Sequence, residues 1–210
     1  MIITVSRMFG SGGSDVAARV ARQLGWTLLD NAVVDAVAHR LGISVAEVSS
    51  MDERVPSLAE RIASTMRMST PEFVIPVDDG SLAETAEMRV VEVTNRVLEE
   101  AVQQGDSVLV GRGAQCMLAE RPDALHVFCY AAMPELVAYA IAHRGLDPAS
   151  AHHEVEKRNR QREQYVKRNW GRDWRAVENY HLCLDTGRLS VEMAADIVVA
   201  AARKRFRLSA

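Results

Sequence analysis

Residues 1–24 read Met-Ile-Ile-Thr-Val-Ser-Arg-Met-Phe-Gly-Ser-Gly-Gly-Ser-Asp-Val-Ala-Ala-Arg-Val-Ala-Arg-Gln-Leu. Ile2 to Val5 is a short run rich in β-branched residues, suited to a buried strand. Gly10, Ser11, Gly12 and Gly13 then make a turn. Beyond it Val16, Val20 and Leu24 recur on one helical stripe, with Ala17 and Ala21 beside it. Strand, glycine-rich turn and helix together form the layout of a phosphate-binding loop. Glycines let backbone N–H groups converge on an anion, and the helix N-terminus adds partial positive charge. The match to G-x-x-x-x-G-K-[ST] is incomplete. Gly12 takes the second Gly and Ser14 the hydroxyl position, but Gly13 stands where the Lys belongs and Arg7 where the first Gly does. A plain βα turn is the competing reading.

At 210 residues, 48% apolar and 25% charged, the chain suits one well-cored domain with a small insertion. No apolar run approaches a membrane span, and the N-terminus lacks the basic-then-apolar layout of a signal peptide, so a cytoplasmic protein without membrane contact is expected. Cys116, Cys129 and Cys183 are odd in number, widely spaced and form no Cys-x-x-Cys; they read as buried reduced thiols. The net charge of −3 argues against general nucleic-acid binding, but its distribution is uneven. Lys157, Arg158, Arg160, Arg162, Lys167, Arg168, Arg172 and Arg175 face only Glu163 and Asp173 within one segment, which is thereby prepared for an anion. The lysines are Lys157, Lys167 and Lys204, so none lies near the first loop.

Strands alternate with helices along the chain. After the first helix, which ends at Gly25, residues 26–30 read as a strand ending in Asp30, and residues 31–41 as a helix ending at Gly42. Residues 44–68 read as two short helices and 70–80 as a loop, a segment suited to acceptor binding or to a contact surface. Its Met66, Met68 and Phe73 suit a pocket, a homodimer face or a plain core. A long helix at 81–104, strands at 107–110 and 125–130, and a helix at 134–144 follow. A charged helix from Asp147 to about Lys167, a fifth strand at 180–184 and a closing amphipathic helix at 190–205 complete the pattern. The alternation predicts an α/β fold with a five-stranded parallel sheet covered on both faces, its ligands at the carboxyl ends of the strands.

The chemistry-bearing residues fall at those ends: the glycine turn after strand one, Asp30 after strand two, Arg112 after strand three and Asp185 after strand five. Phosphoryl transfer calls for such groups, with backbone amides and cations for phosphate, an acid and a hydroxyl for Mg²⁺, and arginines over the transferring group. Arg112, between two glycines, offers a planar fork suited to phosphate; a structural pairing with an acid is the alternative. Asp30 is read either as a contact to Mg²⁺ or the acceptor, or as an N-cap for the helix that follows. The basic helix bearing Arg158 and Arg162 is either a lid, with residues 169–174 as its hinge, or a solvated face. His39, His126, His143 and His181 are isolated and His152-His153 lacks metal-pair spacing, so no histidine is assigned.

Read in order, Val5-Ser6-Arg7-Met8-Phe9-Gly10-Ser11-Gly12-Gly13, Leu28-Leu29-Asp30, Val110-Gly111-Arg112-Gly113, Arg121-Pro122-Asp123-Ala124-Leu125-His126-Val127-Phe128 and Asn179-Tyr180-His181-Leu182-Cys183-Leu184-Asp185-Thr186 resemble the cytidylate kinase-like family, a branch of the P-loop nucleoside monophosphate kinases. The resemblance implies a P-loop NTPase-type three-layer fold in a single kinase-like domain. Its core would be 1–43, 81–146 and 178–210, with a helical acceptor-binding insertion at about 44–80 and an Arg-rich lid at about 147–177. It also implies a nucleotide kinase using ATP and Mg²⁺, with a CMP- or dCMP-like monophosphate or related small acceptor. Gly10, Ser11, Gly12, Gly13 and Ser14 would hold the ATP phosphates, with Ser14 toward Mg²⁺, and Arg112 the acceptor's phosphate. Arg158 and Arg162 would lie over the transferring group, and Arg7 would join them in supplying the charge of the absent Lys. The chain departs from the pattern of cytidylate kinases at Gly13, at Gly113 where an Asp follows the Arg, at Asn159 where the lid carries Asp, and at Val34 and Asp35 where Tyr and Arg are usual. A nucleotide-binding regulatory module that has lost transfer is the alternative, and an interaction protein using residues 44–80 a third.

Overall fold

Apolar β-branched residues and the absence of any local partner for their N–H and C=O groups drive residues 2–7 into the middle of a sheet. In the computed structural model, which describes residues 1–30, 38–42 and 79–208 with side chains of its long helix from 91 onward, β1 (Ile2–Arg7) is that central strand. It is followed by α1 (Gly13–Leu24), β2 (Thr27–Leu29), α2 (Asp79–Gln103), β3 (Ser107–Val110), α3 (Ala114–Met117), β4 (Ala124–Tyr130), α4 (Met133–Arg144), α5 (Ala151–Trp170), β5 (Leu182–Asp185) and α6 (Val191–Phe206). The sheet order is β2-β3-β1-β4-β5 and every pairing is parallel. Helices flank the sheet in a three-layer α/β arrangement.

Two compact units make up the chain, residues 1–30 with 100–210, and residues 31–99. The insertion expected at about 44–80, with Met66, Met68 and Phe73, lies outside the described residues except for Asp79 and Gly80, which begin α2. Val34 and Asp35 lie outside them too.

In the first unit, Ile3 and Val5 of β1 point to one face, where Val16, Ala17, Val20 and Ala21 of α1 and Ala195, Val198 and Ala202 of α6 bury against them. Full burial of side chains of this size contributes about 1.5–3 kcal/mol each. Helix α1 ends where its periodicity does, at a left-handed Gly25 whose N–H reaches the carbonyls of Ala21 and Arg22. Ser190 caps α6 by accepting from the Met193 amide.

Boundaries move where side chains stop the chain early. Helix α5 starts at Ala151, not Asp147, because the Asp147 carboxylate takes the Ser150 amide at 3.2 Å and holds a turn. The fifth strand starts at Leu182, not Tyr180. A 3₁₀ turn, Val177–Asn179, precedes it, and the Tyr180 hydroxyl donates to the Trp174 carbonyl at 2.7 Å. Among the described residues no helix is long and apolar enough to cross a membrane.

The opposite face of β1 is polar. Thr4 Oγ1 hydrogen-bonds His126 Nδ1 at 2.8 Å, and the exposed His181 ring stacks on His126 at 5.0 Å. His181 Nδ1 accepts the His126 backbone N–H at 2.9 Å, so that nitrogen carries no proton. Burial, with the adjacent His181 next, holds His126 down to about 4 from its usual 6.5. The unfolded chain therefore binds a proton that the folded chain excludes. This stability is fully present above pH 6.5 and is lost as pH falls toward 4, by up to about 3 kcal/mol. Melting temperature is expected to fall steadily from pH 7 to pH 4.5, and His126→Gln to flatten that slope; an unchanged slope in the variant would exclude His126 as its source.

Candidate functional site

The chain passes from β1 toward β3 and β2 on one side, then crosses to β4 and β5 on the other, so strand order reverses at β1. A crevice must open beyond the carboxyl end of β1, where the connections part. The glycine turn begins there. Gly10 (φ +87°) and Gly12 (φ +70°) occupy the left-handed region. A Cβ on Gly10 would lie 2.2 Å from the Leu136 carbonyl oxygen, so the turn rests its backbone directly on α4. Ser11 is buried and its hydroxyl has no hydrogen-bond partner, an arrangement that costs stability unless a ligand supplies one. Gly13 and Ser14 open α1, where backbone N–H groups lack intrahelical acceptors. Asp15 in the same turn is held by the Tyr139 hydroxyl at 2.6 Å and Arg144 at 2.9 Å; burial and the Asp15 bond push Tyr139 up to about 12.

Arg7 ends β1. Its side chain passes over Gly13, whose Cβ would lie 2.5 Å from Arg7 Cβ, and reaches Gly111, whose Cβ would lie 1.9 Å from Arg7 Nη1. Asp30, at the end of β2, places Oδ1 3.8 Å from Arg7 Nη2. Gly111, Arg112 and Gly113 after β3 are all left-handed, at φ +72°, +57° and +68°. For Arg112 that conformation costs about 1 kcal/mol, strain that the flanking turn imposes. Gly113 lies under the Trp170 ring, 2.2 Å from where its Cβ would be. The buried Gln115 one turn on accepts the Ser6 hydroxyl at 2.9 Å and so ties α3 to β1.

Helix α5 lies on the glycine turn. Asn159, buried, accepts the Phe9 N–H at 2.6 Å, and Arg162 Nη1 donates to the Arg7 carbonyl at 2.8 Å. The Phe9 ring carries the Arg158 guanidinium at 4.5 Å and that of Arg162 at 5.7 Å, contacts of the cation–π kind. Of the stretch read as a hinge, Trp174 is buried edge-on against Phe128 at 5.4 Å and Trp170 meets Tyr165 at 5.5 Å. The left-handed Gly171 between them closes α5.

Arg7, Asp30, Gly13 and the Gly111 turn thus meet at the carboxyl end of β1, and Arg158 and Arg162 reach it from α5. Asp185 is otherwise engaged: its Oδ1 takes the amides of Gly187 (3.1 Å) and Arg188 (3.3 Å), which holds the turn after β5. Cys116 and Cys129 are buried and Cys183 half-buried; burial raises all three thiols, Cys129 up to about 12. Phe9 and Trp170 entered the sequence reading only inside longer stretches, and Asn159 only as a departure from an acidic residue; their contacts with the loop were not foreseen. The spacing of Asn159 and Arg162, three apart on one helical face, was the available signal.

Solved structures similar along their whole length include an uncharacterized protein from Eubacterium ventriosum ATCC 27560 (TM-score 0.66, 17% identity, 96% of this chain and 98% of that one). A shikimate kinase from Acinetobacter baumannii in complex with shikimate (0.51, 14%, 97% and 93%) and a deoxyadenosine kinase from M. mycoides with dCMP and dCDP (0.50, 11%, 97% and 100%) share the fold. No curated protein matches the sequence. The model of the cytidylate kinase-like family matches residues 2–188, spanning β1, the glycine turn, Asp30, the Gly111 turn, the arginine helix and the turn after β5, and the chain belongs to that family.

Proposed function

We propose that this protein is an ATP-dependent phosphotransferase that moves the γ-phosphoryl group to a CMP- or dCMP-like nucleoside monophosphate or a related small acceptor. One observation carries the reading: a glycine-built turn, the Arg7–Asp30 pair, the Arg112 turn and two arginines of α5 converge where the strand order reverses. Family membership and the fold shared with kinases of a nucleoside and of a small alcohol support it.

Backbone N–H groups of Gly10, Ser11, Gly12, Gly13 and Ser14 would hold the donor phosphates, with the Ser11 hydroxyl gaining the partner it lacks. Ser14 would hold Mg²⁺ together with nucleotide phosphates and water, since Mg²⁺ of this kind takes one or two protein ligands. Bound there, Mg²⁺ would neutralise charge on the phosphates. Arg112 would hold the acceptor's phosphate. In transfer the bond from the γ-phosphorus to the β–γ bridging oxygen breaks, an acceptor oxygen bonds that phosphorus, and ADP departs. A monophosphate oxygen is already anionic and needs no base; an alcohol acceptor would give its proton to Asp30. Arg7, Arg158 and Arg162 would offset the charge on the moving group, with the lid at about 147–177 closing over it.

A second reading, a nucleotide-binding module without transfer, is favoured by two contacts. Asn159 and Arg162 already engage the backbone of residues 7 and 9, so part of the loop is committed to the lid.

Incubation with ATP, Mg²⁺ and CMP, dCMP, UMP, AMP or small alcohols should yield ADP with at least one acceptor. ATP binding by calorimetry without turnover would select the module. Arg112→Ala is expected to raise the acceptor's KM about 10- to 100-fold, the loss of one charge-assisted contact, while the KM for ATP stays within about twofold. Equal losses for both substrates would place Arg112 outside the acceptor site. Arg162→Ala should lower kcat about 100-fold or more with little change in either KM. A fall confined to melting temperature would make Arg162 purely structural.

A further inference from the structure

The absent loop lysine has a steric explanation in the structure. Gly13 occupies the lysine position, and any Cβ there would lie 2.5 Å from Arg7 Cβ, 3.2 Å from Arg7 Cγ and 3.0 Å from Cys129 Cβ. These atoms belong to the roots of side chains on paired central strands, with Arg7 opposite Cys129, and cannot swing aside. Farther out the same Arg7 side chain covers Gly111, where a Cβ would meet Nη1 at 1.9 Å and Cζ at 3.1 Å. The Arg7 side chain thus runs from the glycine turn, beside its root, to the Arg112 turn, where its guanidinium lies against Gly111 and 3.8 Å from Asp30, with the side chain mostly withdrawn from solvent at 17% exposure.

We propose that Arg7 is the cation for the transferring phosphoryl group, reaching the site from the end of β1 in place of a loop lysine. Residue 13 is glycine because a Cβ there would meet the Cβ atoms of residues 7 and 129. The inference rests on the reading that residues 10–14 hold donor phosphates, and it adds which residue senses the terminal one. A guanidinium offers a planar fork to two oxygens where an ammonium offers a point charge. With its side chain running from one turn to the other, it faces the group that passes between them. Asp30 is a positioning residue here, holding the guanidinium in line.

The test compares Mg²⁺ with ATPγS and Mg²⁺ with ADP by calorimetry on the full chain, since the two ligands differ in the terminal group. The wild type should prefer ATPγS, and Arg7→Met, which keeps the length and loses the charge, should reduce that preference about tenfold or more while ADP affinity changes little. Gly13→Lys alone should bind poorly or melt early. The pair Arg7→Gly with Gly13→Lys, which removes the nearest clashing Cβ, should regain part of the ATPγS preference. If Arg7→Met proves unfolded, Arg7→Lys takes its place and should retain part of the preference. A folded Arg7 variant with the wild-type ratio, or a Gly13→Lys protein that binds as the wild type does, overturns the proposal and leaves the phosphate-site reading standing. A wild-type protein that binds neither ligand overturns both.

Discussion

The carboxyl end of the sheet is built around the volume that Arg7 takes at the end of the central strand. Two turns from different parts of the chain must pass close to it, and each does so with a glycine. The glycines are not equivalent. At Gly10 and Gly13 a Cβ would meet a backbone carbonyl at 2.2 Å and the root of a side chain at 2.5 Å, neither of which can move without moving α4 or β1. At Gly111 and Gly113 it would meet the guanidinium of Arg7 and the outer ring atoms of Trp170, which belong to longer side chains. The first pair is dictated by the framework, and the second by what the framework places over the site. The loop is thus shaped by its neighbours, in keeping with an interior that has no spare volume.

The same close approach explains Asn159. The residue is buried and accepts the Phe9 amide at 2.6 Å, with Arg158 and Arg162 spread over the Phe9 ring beside it. A carboxylate could accept that hydrogen bond too, but burial would charge it a desolvation penalty of several kcal/mol unless an arginine turned toward it. The neutral amide leaves both arginines on the aromatic face and on the Arg7 carbonyl. The position where the resembled pattern carries an acid is, in the structure, the one that ties the arginine helix to the Phe9 amide.

Alternating apolar and glycine-rich segments made the sheet, its parallel sense and most helices legible in the sequence, because burial and helical period are local signals. Strand β3 and the long helix α2 fall within two residues of their expected bounds. The site was legible only in outline. Arg7, Asp30 and the two turns announce themselves by lying at strand ends, whereas Phe9 to Asn159 and Gly113 to Trp170 join positions 150 and 57 residues apart, which no local pattern connects. Asp185 shows the opposite case: a carboxylate at a strand end reads as chemistry, and Gly187 and Arg188 two and three residues on also use it as a turn acceptor. Gly13 read as a deficit because a sequence records which side chain is missing and not which one has filled its space.

The polar face of β1 completes the argument. A central strand of a parallel sheet is ordinarily apolar on both faces, yet here Thr4 and Ser6 alternate with Ile3 and Val5 and are buried. Each finds a partner across the sheet, Thr4 in His126 of β4 and Ser6 in Gln115 of α3. Such bonds add little net stability, about 1 kcal/mol each, but a misplaced partner would leave a buried polar group unsatisfied at greater cost. They therefore act on register more than on stability. Ser6 immediately precedes Arg7, and Gln115 follows the Gly111-Arg112-Gly113 turn by two residues. The Ser6–Gln115 bond consequently sets the distance between the strand end that carries Arg7 and the turn that carries Arg112. A polar pair with no chemistry of its own fixes the spacing across which the proposed transfer must occur.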